Sequence, residues 1–89
     1  MATKSSRHLA KIHTLRCIVC LNCYGKSKRA EEAHHLESVR GTHSDFATVP
    51  LCQDCHRGLH GASRRGFCLA HKLDDVKMLA WTIELLEAA

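Results

Sequence analysis

Apolar positions recur at helical spacing at both ends of this 89-residue chain and alternate only briefly between them. Near the start, Leu9, Ile12 and Leu15 share one face, and Ser5 or Ser6 suits the N-cap, predicting a helix over about 6–16. Near the end, Leu73, Val76, Leu79, Ile83 and Leu86 form a stripe over about 73–87 that is most simply a face packed on the core. Met78, Trp81 and Leu85 form a second stripe, displaced around that helix. Either the first helix covers it through Leu9 and Ile12, or it is an interface for self-association or for a recombination or replication protein. Between these ends, Ala33–Val39 and Phe46–Leu51 read as strands of a hairpin. Gly41–Ser44 is the turn, and Pro50 suggests an edge or a bulge. Gln53 to about His60 reads as a short helix closed by Gly61, Tyr24–Arg29 as a polar loop and Ser63–Cys68 as a basic loop. With no linker, repeat or low-complexity tract, residues 1–89 predict one α+β domain. Its ββα core spans about 31–61 and is flanked by N-terminal and C-terminal helices.

So short a chain cannot rely on an apolar core alone, and one Trp, one Tyr and two Phe supply little aromatic bulk. The cysteines answer this. Cys17-x2-Cys20 and Cys52-x2-Cys55 are two knuckles of two thiolates each, the spacing of a closed tetrahedral zinc site that staples a fold. Cys23 competes with Cys20 as a partner and Cys68 is a spare thiol; both read as small packed side chains or incidental thiols. Secreted disulfides are the other use of six cysteines. The polar, basic N-terminus has no apolar segment of a secretory signal, however, and no stretch reaches membrane-spanning length. A reducing cytoplasm is expected.

Net charge is +4, and its distribution is more informative. Lys4, Arg7, Lys11, Arg16, Lys26, Lys28 and Arg29 fall within residues 1–29 with no acidic residue among them. Asp74, Asp75, Glu84 and Glu87 face only Lys72 and Lys77 in the final stretch. A basic N-terminal third fits a polyanionic partner, usually nucleic acid. With no base-reading element in sight, largely sequence-independent contacts are expected.

The chain between the knuckles carries His34–His35, and the second knuckle runs into His56-x3-His60. Residues four apart on a helix share a face and can chelate one ion. One hairpin histidine would complete three neutral ligands with open positions, leaving an imidazole for proton transfer. Neighbouring strand residues point to opposite faces, so His34 and His35 do not both line one pocket without a local twist or bulge.

Ala33-His34-His35-Leu36, then Val49-Pro50-Leu51-Cys52-Gln53-Asp54-Cys55-His56-Arg57 and Leu59-His60-Gly61, resembles the HNH family of ββα-metal (His-Me finger) nucleases. It is most similar to the small phage recombination-enhancement (Ref-type) branch, over roughly residues 7–86. The resemblance implies a hairpin and helix gripping one divalent ion, with His34, His56 and His60 as ligands and His35 as general base. It also implies a phage or prophage DNA endonuclease linked to recombination or DNA processing in a bacterial host, leaving 5′-phosphate and 3′-hydroxyl ends. The family's asparagine is missing, since Asn22, the only asparagine, lies far upstream. Asp45, in Ser44-Asp45-Phe46-Ala47-Thr48, is the residue that could orient His35 or brace the loop instead. The catalytic ion would be Mg2+, Mn2+ or Zn2+, and imidazole ligands favour the softer ions. Arg57, Arg64 and Arg65, with Lys26, Lys28 and Arg29, are candidate phosphate contacts. Tyr24 could stack on a base or serve packing. His8, His13, His43 and His71 lack partners at ligand spacing and read as surface or structural residues. A zinc-stapled nucleic-acid-binding module without catalysis is the other class this pattern permits.

Overall fold

The computed structural model describes residues 3–36 and 44–88. Helix α1 (Lys4–Thr14) is capped by Thr3, not by Ser5 or Ser6. The Thr3 hydroxyl accepts from the Ser6 amide at 3.1 Å, satisfying a free first-turn donor. Its expected face is buried at Ile12 and Leu15. Where the sequence suggested only a knuckle, a seven-residue helix, α2 (Ile18–Tyr24), forms; Cys17 occupies its N-cap and left-handed Gly25 (φ 63°) ends it. Its buried Ile18, Val19 and Cys20 overcome the weak helix propensity of β-branched residues.

Strands β1 (Glu32–His35) and β2 (Thr48–Leu51) pair antiparallel, with Glu32 opposite Leu51, Ala33 opposite Pro50, His34 opposite Val49 and His35 opposite Thr48. The Leu36 amide bonds the Ala47 carbonyl at 2.9 Å, which makes His35/Thr48 a non-hydrogen-bonded pair. By alternation Ala33/Pro50 is one as well, so the N–H that Pro50 lacks would have pointed away from β1. No bulge is needed. The far end of the expected first strand and the Gly41–Ser44 turn lie largely outside the described residues, as does His43. The second strand is shorter than expected, because residues 44–47 form the turn that enters it.

Helix α3 (Gln53–Gly58) follows β2 at once and stops short of His60. A 3-10 turn (Gly61–Ser63), entered through left-handed Gly61 (φ 60°), leads into α4 (Arg64–His71). The expected basic loop at 63–68 is therefore mostly helical. Its anchor is Phe67, whose ring packs so tightly on Gly58 that a Cβ there would lie 2.3 Å from it. Helix α5 (Asp75–Ala88) packs on α2 and β2.

The stripe expected to face the core does so only in part: Leu73 is buried and Leu79 packs on the core, but the second stripe is buried with them. Met78 and Thr82 are buried, and Trp81, Leu85 and Leu79 pack against the core cluster, whereas Val76 is 81% and Ile83 49% exposed. The face is rotated because α2, not α1, supplies the covering surface, and the Thr82 hydroxyl is satisfied by the Met78 carbonyl at 2.9 Å. The molecule is thus a small α+β unit: a two-stranded sheet with all four β2 residues buried and helices around it. Among the described residues no helix is long and apolar enough to cross a membrane.

Candidate metal centres

Each knuckle opens a helix. Cys17 and Cys52 hold the N-cap positions of α2 and α3, and Cys20 and Cys55 follow in the first turn of each. This brings four buried sulfurs together, with Cys20 Sγ 3.8 Å from both Cys52 Sγ and Cys55 Sγ. A tetrahedral zinc with ~2.3 Å bonds to sulfur requires sulfur–sulfur edges of ~3.8 Å. All four are free thiols, and Cys23 and Cys68 stand outside the cluster. Hydrogen bonding from Cys55, opposed by burial and aided by backbone amides, lowers the Cys17 thiol to about 5. Burial and then the Cys17 charge raise Cys20 to about 11, while Cys55 is driven up by its hydrogen bond to Cys17 and by burial. Protein groups alone therefore favour the thiolate at Cys17 and oppose it at Cys20 and Cys55. A bound dication favours the thiolate at each of its sulfur ligands. The cluster fits a structural ion such as zinc.

The histidines converge separately. His34, 3% exposed, projects from β1 toward the end of α3. There His56 Nε2 and His60 Nε2 lie 2.8 Å apart, and the His34 ring centroid is 5.2 Å from that of His56 and 5.3 Å from that of His60. One ligand atom from each lies within 4.8 Å of the others. His60 lies beyond the last residue of α3, and its amide bonds the Arg57 carbonyl, continuing the helical path far enough to keep it beside His56. Burial, with a smaller contribution from His60, holds His56 below the usual imidazole range. That keeps its lone pair available. Three imidazole nitrogens with an exposed His60 at the mouth suit a borderline divalent ion that keeps open positions. Glu32 carried no functional expectation from the sequence. It lies two residues before His34 on the same strand face and pushes His56 the other way, toward a higher proton affinity. The period-two spacing was the available signal.

His35 does not join this cluster. It points to the other face of β1, where its Nε2 lies 2.9 Å from Asp45 Oδ1 with both side chains part-exposed. Asp45 is set by its turn. Buried Thr48 donates its hydroxyl to the Asp45 carbonyl at 2.9 Å, the Phe46 amide donates to Ser44 Oγ, and the Ala47 amide to the Ser44 carbonyl. Phe46 in turn lies against His8 of α1, with ring centroids 5.0 Å apart. His8 had no sequence signal for this role because it acts through a contact distant in the chain, whereas the Thr48 bond spans three residues, a local turn that the expected strand over 46–51 hid.

The candidate phosphate contacts divide. Arg57, Arg65, Lys26 and Arg29 are exposed. Lys28 pairs with Asp54 at 3.3 Å, and Arg64 with Asp75 at 3.4 Å, tying α4 to α5. His13 is exposed. His71 is structural: it bonds the Phe67 carbonyl through Nδ1 and the Tyr24 hydroxyl through Nε2, so Tyr24, although 56% exposed, is anchored to α4. Among known proteins, no family model, no curated sequence and no solved structure matches this chain.

Proposed function

We propose that the protein is a metal-dependent DNA endonuclease of the HNH type, which hydrolyses phosphodiester bonds. The observation that carries this reading is an imidazole beside a three-histidine cluster but excluded from it: His35 is adjacent in sequence to His34, faces away from the cluster and is held by Asp45. A purely structural zinc module would use the four cysteines and needs no second set of ligands.

In this reading His34, His56 and His60 hold one divalent ion. When bound, that ion neutralises charge on the phosphate oxygens and the leaving oxygen. His35 removes the proton of the attacking water. An Nε2–H donated to the Asp45 carboxylate leaves the lone pair on Nδ1, so the hydrogen bond selects the nitrogen that acts as base. The carboxylate also stabilises the imidazolium once the proton has moved, as an acidic partner does for a catalytic histidine elsewhere. Asp45 thereby takes the place of the family's missing asparagine. Arg57 follows His56 and has no ion-pair partner among the described residues, so it is placed to hold a neighbouring phosphate. Cys17, Cys20, Cys52 and Cys55 hold the structural zinc and fix where α3 begins, and with it His56.

Incubation of supercoiled plasmid with the protein and Mg2+, Mn2+ or Zn2+ in turn, beside a His35→Ala control, tests this. Nicking by the parent and none by the variant is the expected result. Salt-sensitive DNA binding by both, with no nicking by either in any of the three candidate ions, would refute the nuclease reading and leave the binding module.

A further inference from the structure

Arg16 and Arg29 stand directly opposite each other in an isolated antiparallel bridge between the end of the first helical segment and the approach to β1. The Cys17 amide bonds the Lys28 carbonyl at 2.8 Å, one residue outward on both segments. Arg16/Arg29 is therefore a non-hydrogen-bonded pair, the antiparallel geometry with the closest side chains, Cα atoms ~4.5 Å apart. Like charges in that position repel. Among the described residues neither arginine is in an ion pair: the Asp54 carboxylate near this loop is occupied by Lys28, and exposed Glu31, two residues after Arg29, pairs with neither. Arg16 gains something from the carbonyl end of α1, which stops at Thr14. Arg29 lies at no helix end.

Two exposed arginines held opposite each other on paired backbone, neither in an ion pair among the described residues, can turn two planar forks of N–H donors to one anion. We propose that Arg16 and Arg29 form a clamp for a backbone phosphate of nucleic acid, separate from the histidine cluster. The identity of the polymer rests on the nuclease reading above; the anion site rests on the bridge. Five residues along the chain take Arg29 to His34, so the two Cα atoms lie no more than ~18 Å apart. The clamp would thus engage the backbone flanking the histidine site, at a distance set by that separation plus the reach of the two side chains. It adds hold and direction to the substrate without reading its sequence.

The zinc-loaded parent is to be compared with the Arg16→Gln/Arg29→Gln double variant. Fluorescence anisotropy on a labelled duplex should show the slope of log affinity against log salt becoming shallower by ~0.9 for each phosphate that the variant no longer neutralises. Exchanging chloride for inorganic phosphate at constant ionic strength should raise the melting temperature of the parent and not that of the variant. Equal salt slopes and equal phosphate responses in the two proteins would overturn the clamp. If the parent gains stability from phosphate but neither binds nor cuts DNA, the anion site stands and the nuclease reading fails. Should the double variant lose zinc, Arg29→Lys, which keeps the charge but not the fork, serves instead: unchanged DNA affinity and phosphate response in it would likewise overturn the clamp.

Discussion

The 2.9 Å hydrogen bond between His35 and Asp45 decides which imidazole nitrogen is left to act, and it localises the proposed chemistry to one side chain. His35→Ala should lower cleavage by roughly 10²–10⁴-fold, the usual contribution of a positioned acid or base. DNA affinity and ion uptake should stay at the parent's level, because the three ligands are untouched. Single-turnover cleavage beside calorimetric ion titration separates the two. An intact cleavage rate in His35→Ala would reverse the roles of His34 and His35. The pH dependence of the ligand set has a definite sign. Burial, reinforced by His60, lowers the His56 pKa from its ordinary value of 6.5 in the folded state. The stability that His56 contributes without an ion is thus complete above 6.5 and is lost as pH falls through the depressed value. Ion affinity should decline over that acid range, since the ligands must be deprotonated to bind. Calorimetric ion titration of the zinc-loaded protein on descending pH checks this, and an affinity that rises toward acid would exclude imidazole ligation.

Among the elements, α4 and α5 depend most on packing that spacing alone does not reveal. Gly58→Ala would ordinarily favour helix α3 by ~1 kcal/mol. Here the new methyl meets the Phe67 ring, already stacked on His71 with centroids 4.2 Å apart. The overpacking cost of ~1–3 kcal/mol outweighs the propensity. The melting temperature should therefore fall, by ~4–8 °C per kcal/mol of net loss in a domain of this size. A rise would mean that Phe67 moves aside freely. On α5, Met78→Ala removes a side chain only 1% exposed and should cost ~2–5 kcal/mol. Val76→Ala, at 81% exposure, should stay within ~0.5 kcal/mol of the parent. Denaturant titration of the pair reports directly which stripe is the core, and equal costs would return Val76 to it.

For the whole molecule, the four-cysteine cluster joins both knuckle helices and is part of the buried core. Cys17, Cys20, Cys52 and Cys55 all belong to the one buried cluster that also contains Ile18, Val19, Val49, Leu51 and Leu59. Chelation should unfold the domain cooperatively, because ion binding and folding are one equilibrium in a core this small. One zinc per chain by elemental analysis and loss of the melting transition in strong chelator are the expected results. A chain that keeps its transition without metal would show that the apolar core suffices. The same dependence separates the two sites: His56→Ala should weaken ion binding at the histidine cluster while leaving the cysteine-bound zinc and the melt near those of the parent.

Cysteine spacing picked out the four-cysteine cluster before any fold was known, and histidine spacing picked out His56 and His60 with one hairpin histidine; that this one is His34 was what the resemblance implied. A helix holds residues three or four apart together, a knuckle holds residues three apart, and these local rules survive any tertiary arrangement. Helices at both ends and a hairpin between them were legible for the same reason. Packing against distant segments decided the rest. Residues 64–71 became helical because Phe67 found the bare surface of Gly58. The buried stripe of α5 turned to Met78 and Thr82 because α2, a helix organised by Cys17 and Cys20, covers it. His34 and His35 parted to opposite faces by simple alternation, but only the turn at 44–47 could bring Asp45 to His35. Arg16 and Arg29 are thirteen residues apart in sequence and meet where the segment that carries Cys17 and Cys20 folds back on itself. Spacing specifies which atoms can share an ion; which side chains face each other across elements is set by burial, and burial is a property of the assembled chain.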